Sequence, residues 1–348
     1  MPGRHRLEFV TPVGPIKHRR LPRGLPALFP AAPEPSGAEA PGAVADLPFE
    51  APNVGDAQRR VEAAQLPSTG LWSLPNVALD AGRLGPFWVS AASVAGRRHG
   101  WSGQTRQDSY AVELSRDGTA VVLVVADGLG SRPVSQLGAR HLTKSVAGAV
   151  AAADLTGLAE TGEEVLLAGI ERAQQELADV WGPAYGVEDS RLLACTIAVV
   201  VLPTDLSAGP VLVARVGDAT VLSATDAASE PFTGIFATGE GPVNVVSASI
   251  PSAAVRHEVE IRRLDPDGIG KLVLCTDGLA DDVYESPGIR GWLARRWTHP
   301  CSERWMLETL SYARVGSQDD RTAVVVWLRP GPEPVTSADA GEAGTDED

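Results

Sequence analysis

Two stretches of the sequence place a carboxylate at the end of an apolar run. Ala120–Gly130 reads A-V-V-L-V-V-A-D-G-L-G, and Lys271–Ala280 reads K-L-V-L-C-T-D-G-L-A. Short valine-rich runs are typical of strands, and an unbroken apolar run indicates that both faces of the sheet are covered. Each Asp-Gly step then breaks the strand, because glycine permits a tight turn or a close backbone approach. The sequence therefore predicts two buried strands that present Asp127 and Asp277 at their tips.

Other acidic residues stand at strand boundaries elsewhere in the chain. Asp108 opens a predicted strand, Asp319 precedes the last one, and Asp218 and Asp320 lie nearby in the pattern. Clustered carboxylates repel one another unless cations fill the cluster or protons neutralise it. Ligand sets made only of oxygen atoms favour hard ions such as Mg²⁺ or Mn²⁺ over zinc. If these acids meet in the fold, a divalent metal centre is the chemistry they predict.

Each acid also has a structural interpretation. An Asp before a Gly commonly caps a turn, which is a sufficient explanation for Asp127 or Asp277 taken singly but a poorer one for both together with Asp319. Asp108 could be a surface charge at a strand edge. We interpret Asp218 as a turn residue rather than a ligand. His99 is interpreted in the same way, as a hydrogen-bonding loop residue rather than a catalytic proton donor.

Composition excludes several classes of protein. The chain has 348 residues, of which 44% are hydrophobic, so a sizeable core can form in one large domain or two. A formal net charge of −14 argues against a general affinity for nucleic acid or anionic membranes. The three cysteines form no C-x-x-C pair, and neither a signal-peptide core nor a membrane-spanning run is visible. These features predict a reduced, cytoplasmic setting.

The chain divides into three regions by composition. Residues 1–85 are rich in proline and alanine and predict an irregular or disordered extension, with a partner-binding arm as the alternative. Within it, two small apolar islands, Leu71–Leu74 and the region 77–79, could dock on the domain that follows. Residues 86–329 carry the strand and helix patterns of a folded domain, and 330–348 form an acidic, disordered tail. The loop-like stretch 225–257 is long enough to predict a flap or a mobile insertion.

The order of elements predicts an α+β fold. Strands follow one another through short turns, and helices come in consecutive pairs between groups of strands, for example at 134–150 and 163–181. A capping box, Thr161–Glu164, would start the second of these helices, and Ser286-Pro287 would start a later one. The stretch 96–107 has the composition of a polar loop. This order favours layered antiparallel sheets covered by helices over a doubly wound parallel sheet.

Across residues 88–328 the sequence resembles the metal-dependent Ser/Thr protein phosphatases of the 2C type. Any one of the shared motifs is a weak signal, whereas six in family order are a strong one. The motifs are G-Q-T-R-Q-D at 103–108, V-A-D-G-L-G at 125–130, A-C-T at 194–196, V-G-D-A at 216–219, C-T-D-G-L at 275–279 and Q-D-D-R-T at 318–322.

The resemblance implies a β-sandwich of two antiparallel sheets flanked by helical pairs, with two Mn²⁺ or Mg²⁺ ions at one edge. By motif position, Asp127 would bridge both ions, and the carbonyl of Gly128 would ligate one of them. Asp277 and Asp319 would hold the other ion, and Asp108 would act through a metal-bound water. Two such ions, roughly 3.5 to 4 Å apart, would activate a water for attack on phosphorus, so that no Cys or Ser nucleophile is needed.

The chain departs from the family pattern at several positions. Gln107 offers no carboxylate beside the first Asp, and Leu129 stands where many eukaryotic members have a His that could act as a general acid. The arginine that binds phosphate in well-known members is replaced by Gly103. Arg98 and Arg106 are the substitutes that the sequence offers, together with Arg132, and we favour Arg98.

These observations predict a monomeric phosphatase that hydrolyses phosphoserine or phosphothreonine in protein substrates, without nucleic-acid or membrane partners. The main alternative is a weakly active or inactive domain that binds phosphoproteins, which the two departures at Gly103 and Gln107 would favour. A phosphatase of small phosphorylated molecules is a third possibility, because the metal site alone does not select the substrate.

Overall fold

The computed structural model describes residue 54 and residues 73–225, 232–236 and 248–329. Its strands are β1 Val77–Leu84, β2 Phe87–Val94, β3 Ser109–Leu114, β4 Ala120–Gly128, β5 Cys195–Pro203, β6 Val211–Val216, β7 Thr220–Ala224, β8 Thr233–Gly234, β9 Glu260–Leu264, β10 Lys271–Cys275 and β11 Arg321–Trp327. Its α-helices are α1 Arg97–Ser102, α2 Ser135–Ala151, α3 Leu158–Glu176, α4 Gly182–Ala184, α5 Val255–Glu258, α6 Asp277–Glu285, α7 Pro287–Arg296 and α8 Glu303–Leu310. Within these ranges, none of the helices has the length and apolar character needed to cross a membrane.

The strands form two antiparallel sheets. Sheet I has the order β1-β2-β11-β10-β7-β8, and sheet II has the order β3-β4-β5-β6-β9. The two apolar runs recognised in the sequence are interior strands, since β4 lies between β3 and β5 and β10 lies between β11 and β7. Both strands are buried along almost their whole length, which suits their continuous apolar runs.

The sheets pack face to face and carry helices on their outer faces. In β4, Leu123 and Val125 point into the core between the sheets, whereas Val122 and Val124 pack with α2 and α3. The outer face of sheet I is covered in the same way by α6, α7 and α8, with Leu293 among the contacts. This four-layer arrangement confirms the predicted α+β sandwich and explains the unbroken apolar run of β4.

The ordered domain begins earlier than predicted. Instead of starting at Pro86, the sheet includes β1, which pairs with β2 along its whole length, from Val77 opposite Val94 to Leu84 opposite Phe87. As an edge strand β1 is only partly buried, so its sequence needs no continuous apolar run and gave little signal. The remaining predictions for the N-terminal extension, the tail 330–348, and the parts of the flap at 226–231 and 237–247 lie outside the described residues.

Three helix predictions also differ from the structure. The helix α3 begins at Leu158, and Thr161 donates its hydroxyl back to the carbonyl of Gly157 at 3.0 Å, so the expected capping box does not form the helix start. The predicted loop at 96–107 contains the short helix α1. The helix α6 was not predicted, because its first residues belong to the Asp-Gly motif that sequence analysis assigned to a turn.

Candidate metal centre

Sheet II brings Asp108 and Asp127 together. The antiparallel register places Ser109 opposite Ala126, so the residues that flank this pair, Asp108 and Asp127, lie side by side where the two strands end. Their carboxyl groups are within hydrogen-bonding contact; Asp108 is buried and Asp127 is partly buried. A side chain at position 128 would place its Cβ 2.9 Å from the carbonyl oxygen of Gln107, so the close approach of the two segments requires Gly128.

Sheet I brings Asp277 and Asp319 to the same edge. The strands β10 and β11 pair with Cys275 opposite Ala323, so the segment after β10 lies beside the segment before β11. A Cβ added to Gly278 would lie 2.1 Å from the carbonyl oxygen of Asp320 and 3.3 Å from the Cβ of Asp319. The first turn of α6 is therefore in direct contact with the loop that carries Asp319.

A threonine connects the two halves of the site. The hydroxyl of Thr276 donates to Asp108 Oδ2 at 2.7 Å, and the Thr276 Oγ1 atom accepts from the backbone N–H of Thr322 at 3.2 Å. All three residues are buried. Because Thr276 and Thr322 belong to sheet I and Asp108 to sheet II, this chain of hydrogen bonds fixes the spacing of the sheets at the edge where the four predicted acids lie.

The buried carboxyl groups are electrostatically strained in the absence of a cation. Burial, followed by repulsion from Asp320, raises the pKa of Asp108 to about 7. Burial and the neighbouring Asp277 raise the pKa of Asp127 well above its ordinary value, and burial with Asp218 does the same for Asp277. Among the described residues no lysine or arginine forms a salt bridge with Asp108, Asp127 or Asp277. Oxygen ligands without a paired base fit a hard divalent cation.

Asp218 joins this cluster, which sequence analysis did not predict. It lies in the turn between β6 and β7, after Gly217, whose φ of 86° is in the left-handed region. The turn position was expected, but the Oδ1 atom of Asp218 is buried without a hydrogen-bond partner among the described residues. Its charge contributes to the raised pKa of Asp127 and of Asp277. An unpaired buried carboxylate oxygen beside two further carboxylates supports the fit to a cation.

Asp320 anchors the loop that carries Asp319. Its Oδ1 accepts from the backbone N–H of Gly96 at 2.6 Å, its Oδ2 accepts from that of Gln107 at 2.6 Å, and His99 Nδ1 lies 2.8 Å from Oδ1. Burial lowers the pKa of His99, but the hydrogen bond and charge of Asp320 outweigh it, so the pKa is raised. The interpretation of His99 as a hydrogen-bonding residue agrees with this contact.

The arginines that were considered for phosphate binding occupy different environments. Arg106 is buried, and its guanidinium donates to the carbonyls of Pro75 and Asp108, both at 3.0 Å, so it holds the backbone of Asp108 rather than facing solvent. Arg98 is exposed on α1. Arg132 is also exposed and lines a polar cleft of about 350 Å³ that begins at Gln107, beside the buried acids.

With this geometry established, comparison with known proteins decides the family. The family model described as protein phosphatase 2C matches residues 95–312 of this chain. The chain belongs to the protein phosphatase 2C family. The resemblance found in the sequence is thereby confirmed, and the two sheets with their helical layers are the fold of this family.

Solved structures of phosphatases are similar to this 2C-type chain to different degrees. A bacterial serine phosphatase matches with a TM-score of 0.51 and 16% identity, covering 70% of this chain and 99% of that one. The serine/threonine phosphatase Stp1 from Staphylococcus aureus matches with a TM-score of 0.47 and 14% identity, covering 78% and 99%. At such identities the likeness of the first structure concerns the fold alone. No curated protein is a significant match to the sequence.

Proposed function

We propose that this 2C-type chain is a metal-dependent phosphatase that hydrolyses phosphoserine or phosphothreonine in proteins. The observation that carries the proposal is the cluster of Asp108, Asp127 and Asp277 at one edge of the sandwich, the first buried and the others partly buried, which forms no salt bridge with a lysine or arginine among the described residues. Such an arrangement costs folding free energy, and a cation that neutralises it offsets that cost. Family membership supports phosphoryl hydrolysis as the chemistry.

Two Mn²⁺ or Mg²⁺ ions suit the ligand set. Asp127 and the carbonyl of Gly128 would hold them from sheet II, and Asp277 and Asp319 from sheet I, with Asp108 completing the cluster. When bound, such ions supply Lewis acidity and neutralise the charge that develops during phosphoryl transfer. The protein's own contribution is positioning: hydrogen bonds from neighbouring groups fix the carboxylates before any ion or substrate arrives.

Thiol chemistry offers no alternative route among the described residues. Cys195, Cys275 and Cys301 are all buried, and burial raises the pKa of Cys195 and of Cys301 to about 12 and also raises that of Cys275. A thiolate at any of these positions would therefore be scarce at neutral pH, and a phosphoprotein could not reach it. This favours direct attack by water over a cysteinyl-phosphate intermediate.

In the family pattern an arginine binds the substrate phosphate. This chain has Gly103 at that position, so another cationic side chain is needed for the phosphate. We propose Arg132 for this role, with Arg98 as the alternative that the sequence favoured. Arg132 lines the polar cleft together with Gln107 and Gln136, and no acidic residue lines that cleft. An exposed guanidinium and neighbouring amide groups match a phosphate carried on a peptide. The expected monomeric state and cytoplasmic location stay predictions.

The proposal is tested by hydrolysis of an aryl phosphate and of a phosphothreonine peptide, each with Mn²⁺ and with a chelator. We expect metal-dependent turnover of both, lost in Asp277→Asn and retained in the control Asp205→Asn. Asp205 is exposed in the turn after β5, at the end of that strand opposite the cluster. Turnover of the aryl phosphate alone would indicate small-molecule substrates. Absence of turnover with intact binding of phosphopeptide would favour the alternative, a phosphoprotein-binding domain.

A further inference from the structure

A second buried acid, Asp282, lies on α6 next to the proposed metal ligands but does not face them. Its side chain is 2% exposed and accepts hydrogen bonds from the loop that follows α8. Arg314 Nη1 donates to Oδ1 at 2.5 Å, Ser317 Oγ donates to Oδ2 at 2.6 Å, and the Tyr312 hydroxyl also donates to Oδ2. One carboxylate thus collects three donors from a segment of six residues, 312–317.

Arg321 closes the same network from the other end of the loop. Its Nε lies 3.4 Å from Asp282 Oδ2, and its Nη1 donates to the carbonyl of Tyr312 at 2.8 Å. Its Nη2 donates to Ser317 Oγ at 2.5 Å, and its guanidinium carbon lies 3.9 Å from the centre of the Tyr312 ring. The guanidinium is therefore hydrogen-bonded to the loop and lies at ion-pair distance from the carboxylate of α6.

The network connects the two segments that carry Asp277 and Asp319. Asp282 is on the helix whose first residue is Asp277, and Arg321 is the first residue of β11, two positions after Asp319. Apart from an isolated bridge at Ala313, the loop between α8 and β11 contains neither helix nor strand. Side-chain contacts, rather than a strand ladder, hold Asp319 at a fixed distance from α6.

We infer that the Asp282–Arg321 pair is a positioning device that sets the spacing of Asp277 and Asp319, and through it the affinity for the ion that these two ligands share. The inference rests on the proposed metal-dependent function. Loss of Asp282 leaves the Arg321 guanidinium buried without its carboxylate, and loss of Arg321 leaves Asp282 with Arg314 as its remaining counter-ion, so the loop must rearrange in either case. Outer partners that orient metal ligands commonly change metal affinity by about 10- to 100-fold when they are mutated.

The test is calorimetric titration of the full chain with Mn²⁺, using Asp282→Asn and Arg321→Met. We expect the dissociation constant of one ion to rise by about 10- to 100-fold in both variants, with the other ion bound as in the wild type. If a variant does not fold, Ser317→Ala, which removes one donor to Asp282 and one acceptor for Arg321 but keeps both charges, is expected to move the same constant in the same direction by a smaller factor.

A matched control separates positioning from general stability. Arg296 forms a comparable network in the same helical layer, with Nε donating to Thr309 Oγ1 at 3.0 Å and the guanidinium stacked 3.2 Å from the centre of the Trp305 ring. Arg296→Met should lower the melting temperature without changing Mn²⁺ affinity. The inference is overturned if Asp282→Asn and Arg321→Met behave like Arg296→Met. A wild-type protein that binds no Mn²⁺ would refute the proposed function itself.

Discussion

The two Asp-Gly-Leu segments read almost identically in the sequence but are held in different ways. Asp127 and Gly128 remain in β4, paired with Thr196 and Cys195 of β5. Asp277 instead starts α6, packed against the loop before β11. One carboxylate is thus positioned by a backbone ladder between buried strands, and the other by a helix start and side-chain contacts. The same Asp-Gly-Leu sequence fits both settings because its glycine has no side chain to prevent the close backbone approach at either position.

The difference predicts where the site tolerates change. The Asp127 half is part of the sandwich core and should be rigid in the absence of ions. The Asp277–Asp319 half depends on Asp320, Asp282 and their partners, so it should respond to single side-chain changes. The predictions below probe each half in turn.

The largest effect is expected from Asp127→Asn. It removes the carboxylate assigned to both ions, so phosphatase turnover should fall by more than the 100-fold typical of outer partners. In the presence of a chelator the same variant should melt at a higher temperature than the wild type, because one buried carboxyl with a raised pKa is replaced by a neutral amide. Steady-state hydrolysis and thermal unfolding measure the two effects. A chelated variant less stable than the wild type would contradict the electrostatic argument.

Glycine substitutions compare the two segments directly. Gly278→Ala would push its Cβ to within 2.1 Å of the Asp320 carbonyl oxygen, and Gly128→Ala to within 2.9 Å of that of Gln107. We expect a loss of about 3 kcal/mol or more in the free energy of unfolding for the first and about 1–2 kcal/mol for the second. The control Gly148→Ala, in α2 with open space around it, should stabilise by about 0.5–1 kcal/mol. Equal losses at 128 and 278, measured by denaturant unfolding, would contradict the comparison.

The chelated protein should lose stability as pH rises. The pKa of Asp108 is raised from 3.8 to about 7, and those of Asp127 and Asp277 are raised as well, so the folded protein binds protons that the unfolded chain releases. This contribution is fully present below pH about 4 and is lost as pH rises to about 7 and above. Melting temperatures at pH 5.5 and 8 should therefore differ with chelator and converge with Mn²⁺. If Mn²⁺ leaves the difference in melting temperature between the two pH values unchanged, the cause of that difference lies outside the acidic cluster.

A smaller effect than at Gly278 is expected where the halves meet. Thr276→Val removes the donor to Asp108 Oδ2 and the acceptor for the Thr322 N–H. We expect a loss of about 1–3 kcal/mol in the free energy of unfolding, since both partners stay buried. Thr204→Val, which removes a single hydroxyl donor to the carbonyl of Gly118 far along β5, should cost less than about 1.5 kcal/mol. If Thr276→Val and Thr204→Val lose the same free energy of unfolding, the contact between the sheets contributes no more than an ordinary side-chain hydrogen bond.

Local patterns were sufficient to predict much of the fold, whereas the assignment of the acids as metal ligands stays a prediction. Continuous apolar runs indicate the buried strands that lead to Asp127 and Asp277, and helical periodicity indicates α2. The edge strand β1 was missed because its stability comes from pairing with β2 rather than from its own composition. The helix α6 was missed because an Asp-Gly start carries the signal of a turn.

The remaining features of the site depend on contacts between distant segments. That Arg106 is committed to backbone carbonyls, and that Asp282 pairs with Arg321, follows only from the packing of elements far apart in the chain. Asp218 was recognised as a turn residue, but its unpaired buried oxygen is visible only in three dimensions. Spacing along the sequence therefore predicts which acids converge better than it predicts what holds them in place.

The most direct test of the account is the number of Mn²⁺ ions bound by the wild type, Asp127→Asn and Asp277→Asn, measured by calorimetry. The account predicts about two ions in the wild type. Asp277→Asn should lose tight binding of one ion, and Asp127→Asn should weaken both, because Asp127 is assigned to each. A wild type that binds no Mn²⁺, or an Asp127→Asn variant that binds as the wild type does, would contradict the claim that the two Asp-Gly segments form one metal centre.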